Sequence, residues 1–449
     1  MTSQKEVQHL FNRAGFGLSP QELQSGAFPN RKSALDYLFA YQSNTRPVAP
    51  NYPIPVKDEN LTRKEKAKRS REQRRIVKLI GVDWVVNMGS ATQNTLVERM
   101  SLFWHGHFAC RTKTAFLAAQ QLDTIRKNAL GNFRELVLAI AKDPSMIRYL
   151  NNQQNRKEKP NENFARELME LFTIGRGNYT EVDVKQAARA FTGWSSNGQG
   201  EFYFKEDRHD FGKKTFMGKT GKLDGTDIID IILKRKETAV FIVTKVYRYF
   251  VNEQVNPAHI EDLARVFYDS NYDIKKLMYT LFSSDWFYET KNIGTKIKSP
   301  AELTAGMMRQ AGLEVNDKKS LYLFQKSLAQ ELFDPPNVAG WSGGKAWIDN
   351  ATMLIRTNVP LNVYLTQNKS GKAKGRKRLD ATYTFAGLEE MTEGLNEEET
   401  IDKLADFLLV VPLQMQAAVL KKYIFAKNQK EFVEQACVRL MSLPEYQMC

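Results

Sequence analysis

The segment PNENFARELMELFTIGRGNYTEVDVKQAARAFTGW, residues 160–194, is dense in carboxylates, amides and arginines. Glu167 and Glu170 stand three apart, so on a helix their carboxylates occupy neighbouring positions of one face, beside Asn163 and Arg166. Two acids so placed suit two chemistries. They can supply oxygen ligands to a divalent metal, or form an acid and a base whose proton affinities are driven apart. Arg166 would then hold a substrate anion or the charge of a transition state. A structural alternative accounts for the same residues: Glu162, Arg166 and Glu170, at i, i+4 and i+8, can pair along any exposed helix.

Three further groups could join such a site. His105 and His107, in ERMSLFWHGHFA, are two apart and face different ways on a regular helix. Leu96, Met100, Phe103 and His107 share one face, which reads as core, whereas Glu98 and His105 share the opposite face, which reads as chemistry. His209 and Asp210 sit in a polar loop, KEDRHDFGKKTF, where the histidine could be a general base or a metal ligand. A turn in which Asp210 caps the backbone explains the same pair equally well. The candidate metal set is therefore His105, His209 and Glu167, for a divalent ion, and the cofactor is otherwise unknown. Trp341 and Trp347, in FDPPNVAGWSGGKAWI, could stack on a sugar ring or simply pin their loop to the core. Phosphate-binding glycine loops, zinc-protease motifs, nucleophile elbows and dinucleotide fingerprints are absent from the sequence.

The elements that must position these groups read as helices. Asn161 is placed to cap a helix that Gly175 ends, with Phe164, Leu168, Leu171 and Phe172 inward. Thr180 and Asp183 form a capping box for the next helix, and so do Ser19/Glu22 and Ser299/Glu302, each with proline at the first helical position. One long helix is expected over 74–109, interrupted near Gly89, and others over 237–251, 257–269, 300–312 and 319–332. Glu201–Lys205 and Lys214–Met217 suggest a small hairpin inside a β insertion at about 198–225. The expected fold is mainly α, a multi-helix globular domain over 1–365 with that insertion. A basic loop or linker follows at 366–380, then a C-terminal helical subdomain over 381–449.

The net charge of +14 is uneven: residues 62–75 hold eight Lys/Arg against two Glu, and 369–378 hold six with no acid. Such blocks can meet an anionic glycan or a nucleic acid, yet neither is interleaved with aromatics or followed by a groove-reading motif. A solvated helix face and a loop are the expected readings, and no specific nucleic-acid partner is expected. No apolar run is long enough for a membrane span, and MTSQKEVQHLFNRAGFG lacks a signal-peptide core, so a cytoplasmic setting is the default expectation.

The motifs NRAGFG (12–17), ERMSLFWHGHFA (98–109), NENFARELMELFTIG (161–175), ARAFTGW (188–194), HDFGKKTFMG (209–218) and FDPPNVAGW (333–341) occur in this order. Over about residues 7–360 the chain resembles a bacterial family known as domain of unknown function 1800. Its members often look exported and tend to be encoded beside a sulfatase-like partner, so the resemblance implies envelope or glycan-related work. The expected function is a hydrolase-type enzyme, metal-dependent or using carboxylate acid and base, on an anionic or glycan-like envelope substrate. Glu167, Glu170, Arg166, His209 and Asp210 would be catalytic, and Arg13 and Trp341 would bind substrate. The alternative is a non-catalytic helical scaffold for an envelope or secreted partner.

Overall fold

The computed structural model describes residues 3–41, 47–54, 61–90, 93–197, 199–368 and 379–449, so the basic block at 369–378 lies outside the described residues. The fold is mainly α, with twenty-one α-helices and three two-stranded antiparallel pairs among those residues. All three capping boxes form: Ser19 with Glu22, Thr180 with Asp183, and Ser299 with Glu302.

The helix expected over 74–109 is interrupted near Gly89, as read: one helix runs Arg63–Ser90, starting earlier than expected, and the next Thr95–His107. Gly89, next to last in the first helix, also permits a close contact, because a Cβ at that position would come within 2.5 Å of Met308 Sδ. One expectation changes. The β insertion holds two hairpins: Trp194–Ser196 pairs with Phe202–Phe204, and Lys214–Phe216 pairs with Lys219–Gly221. The second hairpin closes locally because Met217 and Gly218 both take positive φ, the geometry of a tight two-residue turn.

Apolar side chains form three clusters. The largest joins Leu10 and Phe11 near the N-terminus, Phe103 and Trp104, the signature residues Phe164, Leu168 and Phe172, and Ile242, Val246 and Phe250 of helix Lys236–Phe250. A second joins Leu303 and Met307 of helix Pro300–Ala311 to Ile401, Leu404, Val433, Cys437 and Leu440. The helices after residue 380 therefore share their apolar contacts with the preceding ones. An antiparallel pair, Leu313–Val315 with Ala381–Tyr383, fastens the same junction. The third cluster is a seam built from Trp84, Val85, Leu102, Ala118, Leu332 and Phe333.

Residues 62–72, most of the basic block that begins helix Arg63–Ser90, are exposed all round, whereas Val77, Ile80, Trp84 and Met88 further along are buried. No helix among the described residues is long and apolar enough to cross a membrane.

Candidate functional site

The signature helix has an unexpected geometry. It is α-helical only over Asn163–Glu167 and then widens into a π turn over Leu168–Thr173, closed by Ile174 N–H on the Met169 carbonyl at 3.1 Å. Such turns are rare and often mark functional positions. Gly175, with φ +79°, stops the element as its position suggests. The last carbonyls of a helix have no partner within it. Here two are taken by side chains from elsewhere: Lys245 Nζ donates to the Leu171 carbonyl at 2.8 Å, and His107 Nε2 donates to the Phe172 carbonyl at 3.0 Å. That bond fixes the tautomer, so His107 Nδ1 carries a lone pair, 3.4 Å from Lys245 Nζ.

His107 and Lys245 line a cavity of about 640 Å³, a volume suited to a small organic ligand. Its walls come from the end of helix Thr95–His107, the end of helix Lys236–Phe250, residues 295–302 and the loop that carries Trp341 and Trp347. Arg248, Lys296 and Lys345 add positive charge to that of Lys245, and Tyr249, Trp341 and Trp347 add aromatic surface. Two acids line it, Glu253 and Glu302.

Glu302 is already neutralised. Its carboxylate pairs with Arg99 at 2.8 Å and with Lys296, and accepts bonds from Tyr249 Oη at 2.9 Å and Ser299 N–H at 2.7 Å. Burial alone would raise the carboxyl's pKa, but Arg99 and Lys296 outweigh it and hold the group well below the usual carboxylate range. Burial lowers Lys296 to about 8 despite Glu302, and burial is the cause that lowers Lys245 to about 8. His107 is pushed down by burial and by Lys245, so its ring is neutral.

The tryptophan loop is held from behind. Gly340, with φ +79°, sits so close to helix Thr95–His107 that a Cβ would lie 2.5 Å from the Gly106 carbonyl. Phe333 takes φ +64°, a strained value for a bulky residue, and both its backbone groups are clamped. Its N–H donates to His105 Nε2 at 3.1 Å and its carbonyl accepts from Thr112 N–H at 3.2 Å. His105 is thus buried behind the cavity, with its ring 5.7 Å from that of Trp341, and burial lowers its pKa to about 3. His107, read as a core residue, is thus in the cavity lining, whereas His105, read as the better candidate for chemistry, is buried behind it. Glu98, expected beside His105, instead takes Trp84 Nε1 at 2.7 Å and the Arg126 guanidinium at 3.1 Å.

The other expected site residues lie away from the cavity, Arg166, Glu167 and Glu170 on the signature helix and His209 and Asp210 in the loop between the hairpins. Arg166 pairs with Glu162 and Glu181, at 3.1 and 2.6 Å. Glu170 takes Arg176 and the Tyr179 hydroxyl, the latter at 3.0 Å. Glu167 is half-buried, and burial together with Glu170 raises its carboxyl. His209 is buried, its Nδ1 2.7 Å from the Thr192 carbonyl and its ring against Phe204 and Phe211. Asp210 pairs with Arg189 at 2.7 Å and accepts from Gly212 N–H, the turn-capping arrangement. None of these five lines the cavity. Asn161 and Glu162 border a separate polar pocket with Arg156, Lys159 and Arg208. Arg13 is one layer below the cavity floor, donating to Thr295 Oγ1 at 2.9 Å and the Asn292 carbonyl at 3.0 Å. Trp341 is in the lining, as expected. Among the described residues no three His, Cys, Asp or Glu side chains gather in a way that could hold a metal, so His105, His209 and Glu167 do not form one set.

A family model described as protein of unknown function (DUF1800) matches residues 9–448. The chain belongs to that family. No curated protein and no solved structure is a match for it. The match to the DUF1800 family runs well past residue 360, where the resemblance in the motifs ends, and takes in the C-terminal helices that complete the second apolar cluster.

Lys245, Lys296, Glu302, Arg99 and Tyr249 escaped the sequence reading. One signal was present for Lys245: Thr238, Ile242, Lys245 and Tyr249 share a face of helix Lys236–Phe250, so a lysine stands on an inward stripe. Ser299-Pro-Ala-Glu302 read only as a helix start, and nothing in it shows that Arg99 would arrive from a helix two hundred residues earlier.

Proposed function

We propose that the protein is a hydrolase-type enzyme acting on an anionic, glycan-like substrate in the cavity beside His107. The observation that carries this reading is the lining, in which Lys245, Arg248, Lys296 and Lys345 share about 640 Å³ with Trp341, Trp347 and Tyr249. Cations on an aromatic wall suit a sugar ring that bears a carboxylate, sulfate or phosphate. Arg248 and Lys345, both exposed at the cavity, would hold the anionic group, and Trp341 would take the face of the ring. Lys245, lowered to about 8, supplies unprotonated amine near neutral pH and would accept a proton from water, with His107 Nδ1 beside it as relay.

The test is turnover of 4-nitrophenyl glucuronide and 4-nitrophenyl sulfate. Turnover is expected to rise with pH through about 8, because the base must lose its proton to act. Lys245→Met should abolish it while the protein stays folded by circular dichroism, with a lower melting temperature because the Leu171 carbonyl loses its donor, and Glu167→Gln should retain it. Loss in Glu167→Gln with survival in Lys245→Met would return the chemistry to the acidic face of the signature helix.

A second reading, a helical scaffold for an envelope or secreted partner, draws support from the ion pairs that occupy Arg166, Glu170 and Asp210. In that case the motif fixes helix packing, and a sulfatase-like protein is the candidate partner. Co-expression with such a protein and recovery of both in one size-exclusion peak would favour it; separate peaks would count against it.

A further inference from the structure

Lys245 Nζ has two of its hydrogen-bonding directions committed, one to the Leu171 carbonyl at 2.8 Å and one to His107 Nδ1 at 3.4 Å. Nζ also lies 4.7 Å from the centroid of the Phe241 ring, and the residue lines the cavity. No carboxylate among the described residues pairs with it, in contrast to Lys296, whose ammonium is held by Glu302. A lysine amine held by a carbonyl, beside a neutral imidazole and open to a ligand-sized space, has the surroundings of an amine nucleophile.

We propose that Lys245 also reacts directly with carbonyl compounds, adding its amine to small anionic aldehydes and ketones, among them the open-chain forms of acidic sugars, and holding them as imines. The inference rests on the reading of the cavity as a ligand site. The amine lone pair forms the new C–N bond while the carbonyl π electrons move to oxygen. His107 Nδ1 takes a proton from the now cationic nitrogen, and a solvent water protonates the oxygen to give a carbinolamine and a hydroxide that later takes up the last N–H proton. The nitrogen lone pair then expels the hydroxyl, which leaves as water with the proton from His107, and loss of the last N–H proton gives the neutral imine. Amine and carbonyl compound become imine and water, with no oxidant or reductant needed. The neighbouring cations Arg248 and Lys345 select anionic carbonyl compounds over neutral ones.

The group that faces the amine from a packed element is His107, and Arg248 follows on its own helix. Burial sets its proton affinity, and a value near 8 against the ordinary 10.5 leaves roughly three hundredfold more free amine at neutral pH than an exposed lysine has. The probe is pyridoxal 5′-phosphate at substoichiometric amount, trapped with borohydride, which reduces the imine to a stable secondary amine, and mapped by peptide mass spectrometry. The expected adduct is on Lys245, about tenfold above the exposed Lys64, Lys66 and Lys68. It should rise through about pH 8 and disappear in Lys245→Arg. Label spread over the exposed lysines or centred on Lys296, with Lys245 unmodified in the wild type, would overturn the proposal without recourse to any variant. Methyl glucuronide, which has no free carbonyl, separates the two readings. If it binds while no Lys245 adduct forms, the inference fails and the cavity reading stands; if neither occurs, both fail.

Discussion

Replacing Glu302 by Gln would leave Arg99 and Lys296 buried without their shared carboxylate, the situation in which breaking a buried pair is most destabilising. The expected loss is about 3–5 kcal/mol in chemical denaturation, far more than an exposed pair such as Lys32–Asp36 could give. The pH dependence has a definite sign. Glu302 is held below its unfolded value, so its contribution is fully present above about pH 4.3 and is lost as pH falls through the folded value. Wild-type stability should therefore drop in acid along a slope that Glu302→Gln lacks, and acid titrations of the two proteins check it. Glu167 has no such ion-pair clamp among the described residues and is only half-buried, so its change to Gln should cost far less.

At the scale of elements, the loop that carries Trp341 depends on one close approach. Gly340→Ala would set a Cβ 2.5 Å from the Gly106 carbonyl in a backbone conformation that alanine resists, so the loop must move. Ligand affinity should fall at least about tenfold while the melting temperature shifts by only a few degrees, since the loop is peripheral to the main cluster. Unchanged affinity would mean that the tryptophans are not part of the site. The same elements show what the sequence makes legible. Caps at Ser19, Thr180 and Ser299 and the inward stripe of the signature helix are local in origin, and they form as read. The π turn is not local: it depends on Lys245 and His107 reaching the Leu171 and Phe172 carbonyls from two other helices. For the same reason the motif was read from its acidic face. That face pairs with Arg176, Glu181 and Tyr179 close by in sequence, whereas the side of the motif that meets Lys245 and His107 offers them only backbone carbonyls. Backbone groups leave no trace in residue identity. Trp341 was found because indole on a Pro/Gly-rich loop is informative by type alone.

For the molecule as a whole, the second apolar cluster couples the C-terminal helices to Leu303, Met307 and Leu321. Truncation after residue 380 would uncover those side chains, together with Phe324 and Val363. The shortened chain is expected to aggregate or to fall to trace protease under conditions in which the full chain survives. A stable, monomeric fragment 1–380 would show instead that the C-terminal helices are an independent unit. The overall charge also bears on the central claim. A chain of net charge +14 draws anions toward its surface generally, so binding in the cavity must be separated from attraction to the surface. The direct measurement is titration of tryptophan fluorescence with methyl glucuronide and, in parallel, with neutral methyl glucoside, at moderate salt. The cavity reading expects saturable quenching by the glucuronide and none by the glucoside at the same concentrations. It also expects affinity about tenfold weaker in an Arg248→Ala, Lys345→Ala double variant and quenching lost in Trp341→Phe. Absent saturation, or equal response to both sugars, would contradict the assignment of this cavity as the site of an anionic, glycan-like ligand.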